Sequence, residues 1–136
     1  MDTLSPEARS RAMAAVKGTN TTPELAVRRM IHAMGYRFRL HAKELPGKPD
    51  IVLRPRKKAI FVHGCFWHQH PSARCGKAVT PKTRKAYWQA KLDRNVARDA
   101  AAIRALRRAG WSVLVIWECE LRRPQRVARR LARFLA

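Results

Sequence analysis

The chain has 136 residues, 46% of them apolar, enough for one domain with a single modest core and too many for a disordered chain. Thirty Lys and Arg stand against nine Asp and Glu, a formal net charge of +21 that attracts polyanions and disfavours cationic partners. No apolar run nears the roughly 20 residues of a membrane span, and the opening MDTLSPEARSR carries no secretory signal, so the expected location is the cytoplasm.

Ser5-Pro6 is an N-cap and first-turn pair, and helix formers continue to Val16. After the polar turn 17–22, Thr22-Pro23-Glu24 repeats the start signal, with the carboxylate at the positive helix end. Val27, Met30, Ile31 and Met34 then mark one apolar face, and Gly35 a stop. From Tyr36 the period becomes two: Tyr36, Phe38 and Leu40 alternate with Arg37, Arg39 and His41, which predicts a half-exposed strand. The turn 45–49 leads to short strands at 50–53 and 59–62, joined as a hairpin by the basic turn RPRKK. Residues 63–80 show no regular period and predict an irregular loop. A long helix is expected from Pro81 to Ala109, with Leu92, Val96, Ile103 and Leu106 inward and Gly110 as its stop. Trp111–Trp117 is almost wholly apolar, as in a strand buried on both faces. Pro124 opens a last helix that turns Val127, Leu131, Phe134 and Leu135 inward. The sum is one α/β domain over 1–136, a mixed β-sheet flanked by helices.

Phosphate neutralisation with counterion release is the main source of non-specific nucleic-acid affinity, so nucleic acid is the favoured polyanion, ahead of an anionic membrane surface. An Arg-rich proteome explains Arg over Lys, but not a threefold excess of bases over acids.

The segment HGCFWHQH, residues 63–70, is the densest in chemistry. Cys65, His70 and Cys75 follow a C-x4-H-x4-C spacing, and Cys119 lies just beyond the apolar strand. Three thiolates and one imidazole make a tetrahedral set for structural zinc, which would hold a loop of little apolar content in one shape. The competing reading is three buried thiols acting as small apolar residues; an odd cysteine count in a cytoplasmic chain speaks against disulfides. His63 and His68 remain outside that set. Asp50 begins a strand beside the one ending at His63, so its carboxylate can face both imidazoles. One carboxylate with nearby histidines suits magnesium, with a neutral imidazole taking a proton from water. Otherwise Asp50 is an ordinary turn residue and Glu24 an ordinary first-turn charge. Phe66 and Trp67 inside the loop, with Tyr87-Trp88 near the start of the basic helix, are aromatics in cationic surroundings. They suit wedging between base pairs or stacking on an extruded base, or equally covering the zinc and the sheet edge.

With these residues in view, the chain resembles the very-short-patch-repair (Vsr) endonucleases. The resemblance runs through LSPEARSRAMAAVKG, TPE at Glu24, LPGKPDIV at Asp50, IFVHGCFWH over 60–68, TPKTRKAYW ending at Trp88, KLDRNVARD at Asn95 and GWSVLVIWECEL. It implies a restriction-endonuclease-like core with a zinc loop. It also implies a magnesium-dependent enzyme that nicks duplex DNA 5′ to the thymine of a T·G mismatch. Asp50 corresponds to the catalytic, magnesium-binding aspartate and His68 to the water-activating histidine, with His63 and Glu24 in support. The resemblance assigns zinc to Cys65, His70, Cys75 and Cys119, intercalation to Phe66, Trp67 and Trp88, and DNA contacts near the mismatch to Lys91 and Asn95. A monomer is expected, with mismatch-repair accessory proteins as further partners. Two departures stand out. The strand after Asp50 reads Phe61-Val62-His63 in place of the acidic residue and lysine of the usual nuclease core; the family takes that metal contact from the main chain, here at Val62. The spacing from His70 to Cys75 is longer than in some members. Two other classes compete: a restriction-like or junction-cutting nuclease without mismatch selectivity, and a zinc-stapled DNA-binding module without catalysis.

Overall fold

The structure, a computed structural model, describes residues 21–65, 67–70 and 83–136. The helix expected over Ser5–Val16, the aromatic Phe66 and the thiol of Cys75 lie outside the described residues. Helix α1 spans Thr22–Ala33 and is capped one residue earlier than the sequence predicts: Thr21 is extended, and its hydroxyl accepts from the Glu24 amide at 3.4 Å. The helix ends in a Schellman motif. Gly35 adopts φ +89, its amide donates to the His32 carbonyl, and the Tyr36 amide donates to the Ile31 carbonyl.

Four strands follow in the spatial order β1-β2-β3-β4. Strand β1 (Arg39–Leu40) pairs antiparallel with β2 (Ile51–Leu53), and β2 pairs antiparallel with β3 (Lys58–His63) through a 3-10 turn at Arg54–Arg56. The predicted hairpin is present. The strand expected from Tyr36 shrinks to two residues because its partner β2 has only three; Tyr36 and Phe38 pack against the core without pairing, and Leu40 is 40% exposed. Helix α2 (Lys85–Arg108) then leads to β4 (Ser112–Trp117), which pairs parallel to β3 with His63 opposite Trp117. A 3-10 turn at Glu118–Arg122 precedes helix α3 (Pro124–Leu135).

The period of two sorts the sheet residues onto its faces. Ile51, Leu53, Ile60, Val62 and Ile116 meet Val27 and Ile31 of α1 and Val127, Leu131 and Leu135 of α3. Val52, Ala59 and Phe61 meet Leu106 of α2 on the other face, where Gly47 (φ +73) permits a close approach: a Cβ there would lie 2.6 Å from Ala102 Cβ. Each fully buried Ile or Leu contributes about 1.5–3 kcal/mol.

Two expectations need correction. Val96 is 42% exposed, because the inward edge of α2 runs through Leu92, Asn95, Asp99, Ala102 and Leu106, with Asn95 and Asp99 at a cavity, and Val96 lies beside that edge. Strand β4 is covered on both faces yet only Ile116 is fully buried, since among the described residues β4 has a paired neighbour on one side only. Among the described residues no helix is long and apolar enough to cross a membrane.

Candidate active site

The end of the sheet where β2 begins and β3 finishes opens into a cavity of about 430 Å³. One wall carries carboxylates. Asp50 precedes β2, and its Oδ2 accepts from the Val62 amide at 2.7 Å. The β2–β3 register, continued two residues past Ile51 and Ile60, sets Val62 opposite Pro49, which has no N–H to give to the ladder. Glu24 is 3% exposed and turned inward, so it is not a solvated first-turn charge. Its Oε2 accepts from Arg28 at 2.8 Å and lies 3.1 Å from His41 Nε2. Glu24, His41 and Asp50 bring their ligand atoms within 4.8 Å of one another. Burial first, then the hydrogen bond from the Glu24 side, pushes the Asp50 carboxyl up to about 8, against the pull of the Val62 amide and Arg28. Two carboxylates crowd here with too little positive charge, a donor set that fits a divalent cation.

The same cavity is also lined by imidazoles. His68 Nδ1 lies 2.5 Å from Asp99 Oδ2 of α2, and the His68 ring stacks on His63 with centroids 3.8 Å apart and planes 6° from parallel. His63 is 4% exposed, and its Nδ1 has no hydrogen-bond partner among the described residues. Burial, then the neighbouring His68, pulls His63 down to about 3, so its ring is neutral at physiological pH. Asp50, Glu24, His63, His68 and Asn95 thus open onto one cavity. The side chains still form two groups: Asp50 with Glu24 and His41, and His68 with His63 and Asp99.

Behind the imidazoles, Cys65, His70 and Cys119 form a third cluster, with His70 Nδ1 lying 3.7 Å from Cys65 Sγ and 3.3 Å from Cys119 Sγ. Zinc–sulfur and zinc–nitrogen bonds of about 2.3 and 2.1 Å at tetrahedral angles put such ligand atoms about 3.6 Å apart, so the set fits zinc. Trp117 separates this cluster from the cavity, stacking on His70 at 4.3 Å and presenting an edge to His63 at 5.0 Å. Trp67 is 9% exposed, packed 5.9 Å from Trp88, with Lys91 Nζ 5.6 Å from both ring centres. Asn95 Nδ2 donates to the Trp67 carbonyl at 3.1 Å.

Sequence reasoning missed Asp99, Arg28 and His41. The first two were detectable, since Asp99 follows Asn95, and Arg28 follows Glu24, at the i+4 spacing of one helix face. His41 was assigned to the outward side of a strand; at φ 48 it leaves the strand and swings toward Glu24.

The family model described as DNA mismatch endonuclease Vsr matches residues 1–74. The chain is 52% identical over 120 residues to the Type II nicking enzyme V.XorIIP of Xanthomonas oryzae, covering 88% of this chain and 86% of that protein. It is 37% identical over 134 residues to the Type II nicking enzyme V.NmeAIP of Neisseria meningitidis, covering 98% and 94%. It is 40% identical over 114 residues to the DNA mismatch endonuclease Vsr of Escherichia coli, covering 84% and 71%. A cavity lined by carboxylates and imidazoles in so basic a chain thus sits in a DNA endonuclease, and the chain belongs to the Vsr family.

Proposed function

We propose that this endonuclease nicks one strand of duplex DNA 5′ to the thymine of a T·G mismatch, with magnesium held by Asp50 and the main-chain carbonyl of Val62. The observation that carries this reading is the opening of the Asp50 carboxylate and the His68–Asp99 pair onto one cavity. Magnesium, when bound, would neutralise charge on the scissile phosphate and its leaving oxygen. Asp99 accepts from His68 Nδ1–H, which fixes the tautomer and leaves Nε2 free to take a proton from water. His63, neutral and stacked on His68, adds no like charge when His68 is protonated. Glu24 is kept in place by Arg28 and His41, so the carboxylate pair stays together.

Cys65, His70 and Cys119, with Cys75 as fourth ligand, are proposed to hold a structural zinc. Phe66, Trp67 and Trp88, with Lys91 and Asn95, are proposed to face the mismatch, and the sheet to be a restriction-endonuclease-like core. A second reading, nicking without mismatch selectivity, draws on the inward packing of Trp67 and on relatives named as Type II nicking enzymes. One assay separates them: nicking of T·G and matched duplexes with magnesium or with EDTA. Magnesium-dependent nicking of the T·G strand alone is expected; equal nicking of both duplexes would establish the second reading.

A further inference from the structure

The arginines of α3 belong to a surface separate from the active site. Arg126, Arg129, Arg130 and Arg133 are exposed and spaced i, i+3, i+4 and i+7, so they share one side of the helix. With Leu114 of β4 and Phe134 they line a groove of about 580 Å³ that shares no residue with the cavity around Asp50. Helix α3 contains no Asp or Glu. Arg130 pairs with Glu120 and donates to the Val115 carbonyl at 3.4 Å, which fixes one wall of the groove. Among the described residues, Arg126, Arg129 and Arg133 form no ion pair.

The placement of α3 separates this groove further from the chemistry. α3 packs on the sheet face opposite α2, the helix that supplies Asn95 and Asp99 to the cavity. Its C-terminus reaches the start of β3, where Lys58 donates to the Phe134 carbonyl, whereas the cavity lies at the other end of β3, at His63. The stripe from Arg126 to Arg133, about 10 Å long at about 1.5 Å per residue, therefore runs along α3 toward the end of the sheet opposite the cavity.

We propose that this groove is a second binding surface for duplex DNA, taking the backbone phosphates of a segment other than the one being nicked. Guanidinium forks match pairs of phosphate oxygens, and three on one helix side, Arg126, Arg129 and Arg133, with no ion pair among the described residues suit a polyphosphate backbone. Contacts to phosphates alone carry no sequence information, so the surface holds any duplex.

The test uses the full chain with Arg126, Arg129 and Arg133 all changed to Gln, beside the same three changed to Lys. Affinity for a matched duplex is measured across salt concentrations, and two differently labelled short duplexes are mixed with the protein to detect a complex containing both. The Gln variant is expected to lower the salt slope by about 2–3, since each phosphate contact contributes about 0.9. It should lose the two-label complex and keep the single-turnover nicking rate at saturating enzyme. The Lys variant should retain slope and complex. An unchanged slope in the Gln variant, or a wild-type protein that never joins two duplexes, would overturn the proposal and leave the groove to an acidic protein or to solvent. A Gln variant that keeps its slope but loses nicking also overturns it. A wild-type protein that binds two duplexes but nicks neither counts against the proposed function, not against this surface.

Discussion

Changing Asp99 to Asn keeps the side chain's size and removes the charge that holds His68. The pair is short, 2.5 Å, and its side chains are 29% and 27% exposed. A hydrogen bond with a charged partner contributes about 1.5–3 kcal/mol, which at about 1.4 kcal/mol per tenfold is a rate loss of about 10- to 150-fold if the bond acts fully in the transition state. Partial exposure lets water screen the pair, so the lower part of that range is expected, about 10- to 40-fold. The loss should fall on single-turnover nicking of a T·G duplex at saturating enzyme and magnesium, with DNA affinity unchanged, because Asp99 is an acid and supplies no phosphate contact. A rate within twofold of wild type, accompanied by a lower Tm, would falsify the assignment and make the His68–Asp99 pair a structural clip between the loop and α2.

Asp50→Asn should abolish nicking while DNA affinity stays within a few-fold, since the basic surface is untouched; residual magnesium-dependent nicking by this variant would remove Asp50 from the site. The same residue predicts a pH effect in magnesium-free buffer. The folded carboxyl keeps its proton up to about 8 and the unfolded one loses it near 3.8, so unfolding releases a proton between those values and stability falls as pH rises. Buried His63, neutral down to about 3, opposes this below about 6.5, which leaves pH 6.5 to 8 as the clean window. There Tm should decline for wild type and stay flatter for Asp50→Asn; parallel curves would sink the argument. Cys119→Ser should lose zinc and stability together, because a four-ligand site cut to three is open and weak; metal analysis finding no zinc in wild type purified without chelator would point to buried thiols. Trp88→Ala should weaken T·G binding by about 1–3 kcal/mol and narrow the gap to matched DNA, whereas equal weakening of both would make the aromatics structural cover.

Elements with their own local signals were legible before the structure. Capping residues, the Gly35 stop, the RPRKK hairpin and the Val127–Leu131–Leu135 stripe each announce themselves within a few residues, and the structure has the Gly35 turn, the β2–β3 hairpin and the buried stripe. The clustering of Cys65 and His70 with Cys119 followed from residue type and spacing. What escaped depends on contacts far apart in the chain. His41 looked like the outward half of an alternating strand until its left-handed backbone turned it to Glu24, 17 residues away. Asp99 shares a helix face with Asn95, but its contact is with His68, 31 residues earlier, which the helical spacing does not show. Val96 was assigned inward because periodicity was followed through apolar residues, whereas the inward edge of α2 passes through the polar Asn95 and Asp99 at the cavity and leaves Val96 exposed.

Helix α2 gathers several of these contacts along one edge. Lys91 lies over the rings of Trp67 and Trp88, Asn95 holds the Trp67 carbonyl, Asp99 holds His68, and Ala102 meets Gly47 beside the turn that leads to Asp50. These positions recur every three or four residues, so a single α-helical edge serves as a ruler about 16 Å long between the aromatic cluster and the carboxylates. The ruler has a phase as well as a length. One residue inserted between Asn95 and Asp99 would advance the rod by only about 1.5 Å but rotate everything beyond it by about 100°, carrying Asp99 off His68 while leaving the helix intact. Substitutions along this edge are therefore graded in effect, and insertions are all-or-none: the distance between the aromatic cluster and the carboxylates can change only by about whole turns.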